Sequence, residues 1–226
     1  MDGLKTNDDN VIRACLELIQ SGSFCCAGAK AALAGQKIDC VIVHDLRCAT
    51  DDIHIVKALQ RFHSLNQDNY NSLAVIFPHT PALSEPEFET FLWNRLQALH
   101  EIDHQSFAWA PNVSQDPTSP QFGFSIGGQA FFVVGMHPAA SRITRRMPFP
   151  VLAFNLHAQF RRLRANGNYA RVQKATRVRD LALQGYLNPM LADHGVKSEA
   201  RQYSGREHPE QWICPFQPVG QDTRIA

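Results

Sequence analysis

Hydrophobic positions along the chain alternate between helical and strand periods. In residues 8–20, Val11, Ala14, Cys15 and Leu18 recur at helical spacing behind the cap candidates Asp8 and Asp9, which predicts a helix. Residues 27–34 are short, alanine-rich and stopped by Gly35, whereas residues 38–43 read as a buried strand. Asp51-Asp52 opens a second periodic segment carrying Ile55, Val56, Leu59 and Phe62, and residues 73–77 read as a strand closed by Pro78. Ser84 and Glu87 form a capping box with Pro86 in the first turn, ahead of Phe88, Phe91, Leu92, Leu96 and Leu99.

The second half begins with a polar, proline-bearing loop at 111–120. Residues 122–126 and 129–136 flank Gly127-Gly128 as a hairpin, and a further apolar run covers 149–154. A helix is expected from Leu156 to about Ala165, with Asn155 as its cap, and another from Tyr169 towards Leu183. Beyond Asn188-Pro189 the chain is turn-rich. The dense polar run 198–206 reads as an exposed loop able to recognise a substrate. The expected architecture is one α+β domain over residues 1–226, with a central antiparallel or mixed sheet flanked by helices.

Composition narrows the class. The N-terminus is polar and acidic, and the longest apolar run, 130–136, is far too short to span a bilayer, so a cytoplasmic protein without a membrane partner is expected. Six cysteines at 15, 25, 26, 40, 48 and 214 contain no CxxC pair and read as reduced thiols. The net charge of +1 conceals segregation. Residues 1–136 hold 8 lysines and arginines against 15 acids, whereas residues 137–206 hold 13 against 3, and 11 of those 13 are arginine. A guanidinium fork matches a carboxylate in a bidentate way. Tyr169 is the only aromatic between Phe160 and Tyr203, so a nucleic-acid stacking platform is not evident and no nucleic-acid partner is expected.

Chemistry concentrates around two histidines. His137 follows the 129–136 strand and precedes Pro138, which stiffens the backbone presenting it. His157 lies at a helix start, where the dipole favours a neutral imidazole. Ser141, Arg142, Arg145 and Arg146 lie between them. Two strand-end histidines with intervening arginines suit a planar, dianionic, metal-bearing ligand, haem, better than a bare metal ion. Cys26, just before a helix start, is a competing thiolate ligand. No histidine–cysteine pair has zinc spacing, and no segment resembles a nucleotide loop.

Six collinear segments carry a family resemblance: Phe24-Cys25-Cys26-Ala27-Gly28-Ala29-Lys30, Gly135-Met136-His137-Pro138-Ala139-Ala140-Ser141-Arg142, Phe154-Asn155-Leu156-His157-Ala158-Gln159-Phe160, Arg179-Asp180 with Gln184-Gly185 and Asn188-Pro189, Glu199-Ala200-Arg201-Gln202-Tyr203-Ser204-Gly205, and Cys214-Pro215-Phe216. Together they resemble the YqcI/YcgG family. One departure is that the family usually reads Phe-Pro-Cys where this chain has Phe24-Cys25-Cys26, so the loop loses a proline.

The resemblance implies a haem-dependent N-hydroxylase of the kind that oxidises guanidine nitrogens in the cycloserine and guanitoxin pathways. On that expectation His137 ligates the iron of haem b, with His157 and Cys26 as alternatives, and Ser141, Arg142, Arg145 and Arg146 hold the propionates. His157 serves catalysis on the other face. Asp180, Glu199, Gln202, Tyr203 and Ser204 receive an amino-acid-like guanidine or amine substrate. Oxygen is the co-substrate, and electrons come from an external reductase or small reductant. The competing class is a non-catalytic haem carrier or sensor. Oligomeric state stays open between monomer and homodimer.

Overall fold

The computed structural model describes residues 2–65, 70–193 and 195–219. Five strands form one mixed sheet: β1 (Ile38–Ile42), β2 (Ser72–Ile76), β3 (Phe124–Ile126), β4 (Gln129–Met136) and β5 (Val151–Leu156). Their spatial order is β1-β2-β5-β4-β3. Only the β1–β2 pair is parallel; β5 lies antiparallel between β2 and β4, and β3–β4 is the expected hairpin. Its turn needs two consecutive residues with positive φ, at 60° and 69°, which Gly127 and Gly128 supply without steric cost. The α+β architecture with helices flanking a mixed sheet is as the sequence implied.

Strand side chains alternate between two faces. On one face Leu73, Val75, Phe131, Val133, Leu152 and Phe154 pack against α3 (Asp52–Leu65) and α4 (Glu85–Asp103). Ile55, Val56, Leu59 and Phe62 of α3 are buried, as their spacing predicted, and so are Phe88, Leu92, Leu96 and Leu99 of α4. The Glu87 carboxylate accepts from the Ser84 amide at 2.8 Å and hydroxyl at 2.6 Å, which holds the Glu87 carboxyl below its usual range. Gly135 of β4 lets α4 approach closely: an added Cβ would lie 2.6 Å from Leu92 Cδ1 and 2.8 Å from the Tyr203 carbonyl oxygen.

The opposite face is covered by α1 (Asp2–Gln20), α2 (Ala27–Ala34), α5 (His157–Ala165) and α6 (Asn168–Gln184). Three expectations change here. The helix α1 begins at Asp2, so Asp8 and Asp9 lie inside it and do not cap it. Asn155 is a strand residue, because β5 continues to Leu156 and passes directly into α5 with no turn between them. The polar run 198–206 is not an exposed loop: it contains α7 (Ala200–Tyr203), and Ser198, Ala200, Tyr203 and Ser204 are buried. Among the described residues no helix is long and apolar enough to cross a membrane.

Burial sets a pH dependence in this fold. The Nε2 of His100 accepts from the Val219 amide at 3.0 Å, and burial pushes the imidazole down to about 4, with His104 adding to the effect. In the unfolded chain it titrates near 6.5. A depressed folded-state value means that the unfolded chain binds the proton first as pH falls. Stability is therefore full above about 6.5 and is lost between there and about 4, by on the order of 3 kcal/mol from this group. Urea unfolding at pH 7 and pH 4.5 should show the fall, and His100→Gln should make it shallower; equal stability at both pH values would refute the linkage.

Candidate functional site

The register puts matched rows of side chains across four strands. Cys40 pairs with Ala74, Ala74 with Ala153, and Ala153 with Val134, all on the face towards α1 and α6. This row of small residues leaves a trough. At one end it meets the bulkier row Ile76, Val151 and Met136, and at the other the polar pair Ser72 and Asn155, whose side chains lie 2.5 Å apart. Helices close the trough from above, through Leu16 and Ile19 of α1, Ala29 of α2, and Val172 and Thr176 of α6. The Thr176 hydroxyl accepts from the Ala27 amide at 3.1 Å and ties α6 to the start of α2. The cavity, partly open to solvent, is about 330 Å³, within the range of small-molecule sites.

His157, Gln159 and Phe160 of α5 close the polar end together with Glu199 and Gln202. His157 Nε2 lies 3.0 Å from Glu199 Oε1, and the Tyr203 hydroxyl donates to the same oxygen at 2.5 Å. The backbone amide of Phe124 donates to that hydroxyl at 3.2 Å. Burial, reinforced by the Glu199 carboxylate, pushes the Tyr203 phenol well above its usual range, so it stays a neutral donor. Gly123 makes room for the imidazole, since a Cβ there would lie 2.9 Å from His157 Cε1.

Cations stand elsewhere on the lining. Arg164 lies over the Tyr169 ring at 5.3 Å, Arg177 pairs with Asp193 at 2.9 Å, and Lys197 follows on the next segment. Cys26 also lines the cavity; it caps α2, with its sulfur accepting from the Ala29 amide at 3.4 Å. Among the described residues no three histidine, cysteine or acidic side chains converge on a point that would hold a bare metal ion.

The residues singled out from the sequence divide sharply. His157, Cys26, Glu199 and Gln202 line the cavity. His137 is not among the described lining residues: it is 1% exposed, stacks on Phe88 of α4 at 4.3 Å, and has no partner for Nδ1. The arginines between the histidines are engaged in folding their own loop. Arg142 pairs with Asp180 at 2.8 Å, Arg145 donates to the carbonyls of Gly135 and Gln202, and Arg146 donates to that of Ala140. Asp180 also accepts from Thr144, so Arg142 and Thr144 between them take both of its oxygens. Ser141 donates to Glu85, and Ser204 to Glu89, away from the cavity. Tyr203 is not a lining residue itself; it touches the lining through its hydrogen bond to Glu199 and its ring contact with Phe132.

Sequence reasoning missed the small-residue row and most of the rim cations. The spacing of Arg164 from His157 on one helix was visible, but Arg177 and Lys197 join it only through the docking of α6 and the segment after it.

No solved structure gives a match to this chain. A relative described as the uncharacterized protein YqcI of Bacillus subtilis (strain 168) is 27% identical over 213 residues, covering 87% of this chain and 82% of the relative. The YqcI/YcgG family profile matches residues 15–217, almost the whole cavity-bearing fold, and the chain belongs to that family.

Proposed function

We propose that the cavity holds haem b and that the protein uses it to hydroxylate a guanidine or amine nitrogen of an amino-acid-like substrate. The observation that carries this reading is an apolar trough with one imidazole, His157, and three thiols, Cys15, Cys26 and Cys40, on its lining and cations at separate points around it. Burial pushes the Cys15 thiol up to about 12 and that of Cys40 up to about 11, which leaves Cys26 as the thiol able to ligate. The donor set fits the group. Apolar walls would suit the macrocycle, His157 or Cys26 would ligate the iron, and Arg164 and Lys197 would pair with the carboxylates, joined by Arg177 only if it exchanged Asp193 for one of them. Of the two donors His157 is the better supported, because Glu199 fixes its ring as outer carboxylates fix metal-ligating histidines. Glu199 occupies Nε2, so ligation would use Nδ1.

This moves the ligand from His137 to His157 and the propionate partners from Arg142, Arg145 and Arg146 to the cavity's own cations. In the overall reaction one atom of O₂ converts N–H to N–OH and the other leaves as water, with two electrons from an external reductant and two protons from solvent. The chemistry that bound haem supplies is oxygen activation. The protein excludes water with the residues over the trough and binds the substrate's carboxylate at a rim cation. Its cationic nitrogen is held near Glu199 Oε2 and the Gln202 amide.

Hemin titration of the purified protein tests the reading. A Soret band saturating at one equivalent per chain is expected. With dithionite or a reductase, mass spectrometry of assays on arginine, its homologues and simple amines should show a gain of one oxygen. Protein that stays colourless removes the haem assignment, and haem binding without any oxygenated product favours the carrier.

A further inference from the structure

We propose that Tyr203 is a positioning residue that fixes, through Glu199, which nitrogen of His157 faces a ligand; this deepens the reading of His157 as the group that meets the ligand. Tyr203 is fully buried, with its ring stacked on Trp93 at 5.6 Å and set edge-on to Phe132 at 5.7 Å. It cannot swing into the cavity, so any effect it has there must pass through a neighbour. A phenol has one proton to give. Glu199 Oε1 at 2.5 Å takes it in preference to the Phe131 carbonyl at 3.2 Å, while the Phe124 amide fills an acceptor position on the same hydroxyl.

The shared oxygen is the point of the arrangement. Glu199 Oε1 receives Tyr203 on one side and faces His157 Nε2 at 3.0 Å on the other. An ionised carboxylate only accepts, so Nε2 carries the hydrogen, and in the neutral ring that leaves the lone pair on Nδ1. Glu199 precedes α7 and Tyr203 ends it, four residues on, so one helical turn sets the spacing of the two side chains. Without the hydroxyl, nothing holds the Glu199 side chain in its rotamer; the whole carboxylate can swing away from Nε2, and the imidazole loses its fixed acceptor. Gly123 packs against the same ring and leaves space for it without selecting a tautomer.

The test uses full-length apo-protein labelled with ¹⁵N-histidine, read at one pH by long-range ¹H–¹⁵N correlation, alongside hemin titration. The wild type should show His157 as the Nε2–H tautomer. Tyr203→Phe keeps the packed ring; it should give a mixture of tautomers and raise the hemin Kd by about 10-fold or more, the scale of outer-shell losses. A purely structural role would lower the unfolding midpoint and leave the tautomer alone. Folded Tyr203→Phe with an unchanged tautomer and Kd overturns the proposal. Should that variant not fold, Glu199→Gln decides. With Tyr203 pinning the amide oxygen, Nε2–H should persist while hemin binding weakens, and inversion to Nδ1–H overturns the assignment. Wild type that takes no hemin removes the haem reading, yet the tautomer spectra still decide the role of Tyr203.

Discussion

Asp52→Ala lowers folding stability by about 3–5 kcal/mol, the cost of leaving a buried charge without its partner. Arg95 of α4 and Asp52 at the start of α3 are 3% and 2% exposed and form a direct ion pair. The same guanidinium donates to the Leu46 carbonyl at 2.6 Å and to the Cys48 carbonyl, so one side chain fastens α3, α4 and the loop after β1. Its Nε already lacks a partner, and removing the carboxylate strands the charge further. Urea unfolding should show a lower midpoint with an unchanged slope. Removing both members, as in Asp52→Ala with Arg95→Leu, should recover part of the loss, because no buried charge is then left alone. A single variant within about 0.5 kcal/mol of wild type, the range of a surface change, would show the pair to be dispensable.

His157→Ala should weaken hemin binding by more than the roughly 10–100-fold that outer-shell residues give, and should abolish oxygenation. The control is His137→Ala. That ring stacks on Phe88 outside the cavity lining, so its loss should lower stability while leaving the hemin spectrum intact. Absorption spectra of both variants, as isolated and after dithionite with carbon monoxide, separate the outcomes. An intact spectrum in His157→Ala together with a lost one in His137→Ala would return the ligand to the strand end.

Elements were legible where a local rule governs them. The capping box of α4, the glycine turn of the hairpin, the Gly35 stop of α2 and the helical stripe of α3 depend on residues a few positions apart. α5 starts one residue later than the sequence suggests, because an asparagine before a helix ordinarily caps it. Here Asn155 bonds across the sheet to Ser72 and the strand runs on.

The candidate site was legible only in part. His157 and Glu199 could each be singled out, but their contact spans 42 positions and depends on how α7 docks beside β4. The arginines of the 137–146 segment misled because they are close in sequence to two histidines. Closeness in sequence there built a loop whose arginines bond the chain's own carbonyls, with Arg142 closing on Asp180 from α6. The cavity floor could not be read at all, since Cys40, Ala74, Ala153 and Val134 come from four strands and only register aligns them.

That row gives any occupant an unusual mechanical position. Its floor belongs to the sheet and its roof to helices from separate stretches of the chain, so a molecule in the trough touches α1, α2, α6 and the sheet at once. It can bind the assembled chain and not the unfolded one, and occupancy then enters the folding equilibrium as mass action: about 2.7 kcal/mol at a free concentration one hundred times Kd. Ligand supply thereby becomes a determinant of how long each copy of the chain survives heat or proteases. A single methyl added at Ala74 or Ala153 would lower that protection by narrowing the floor, without touching any polar group.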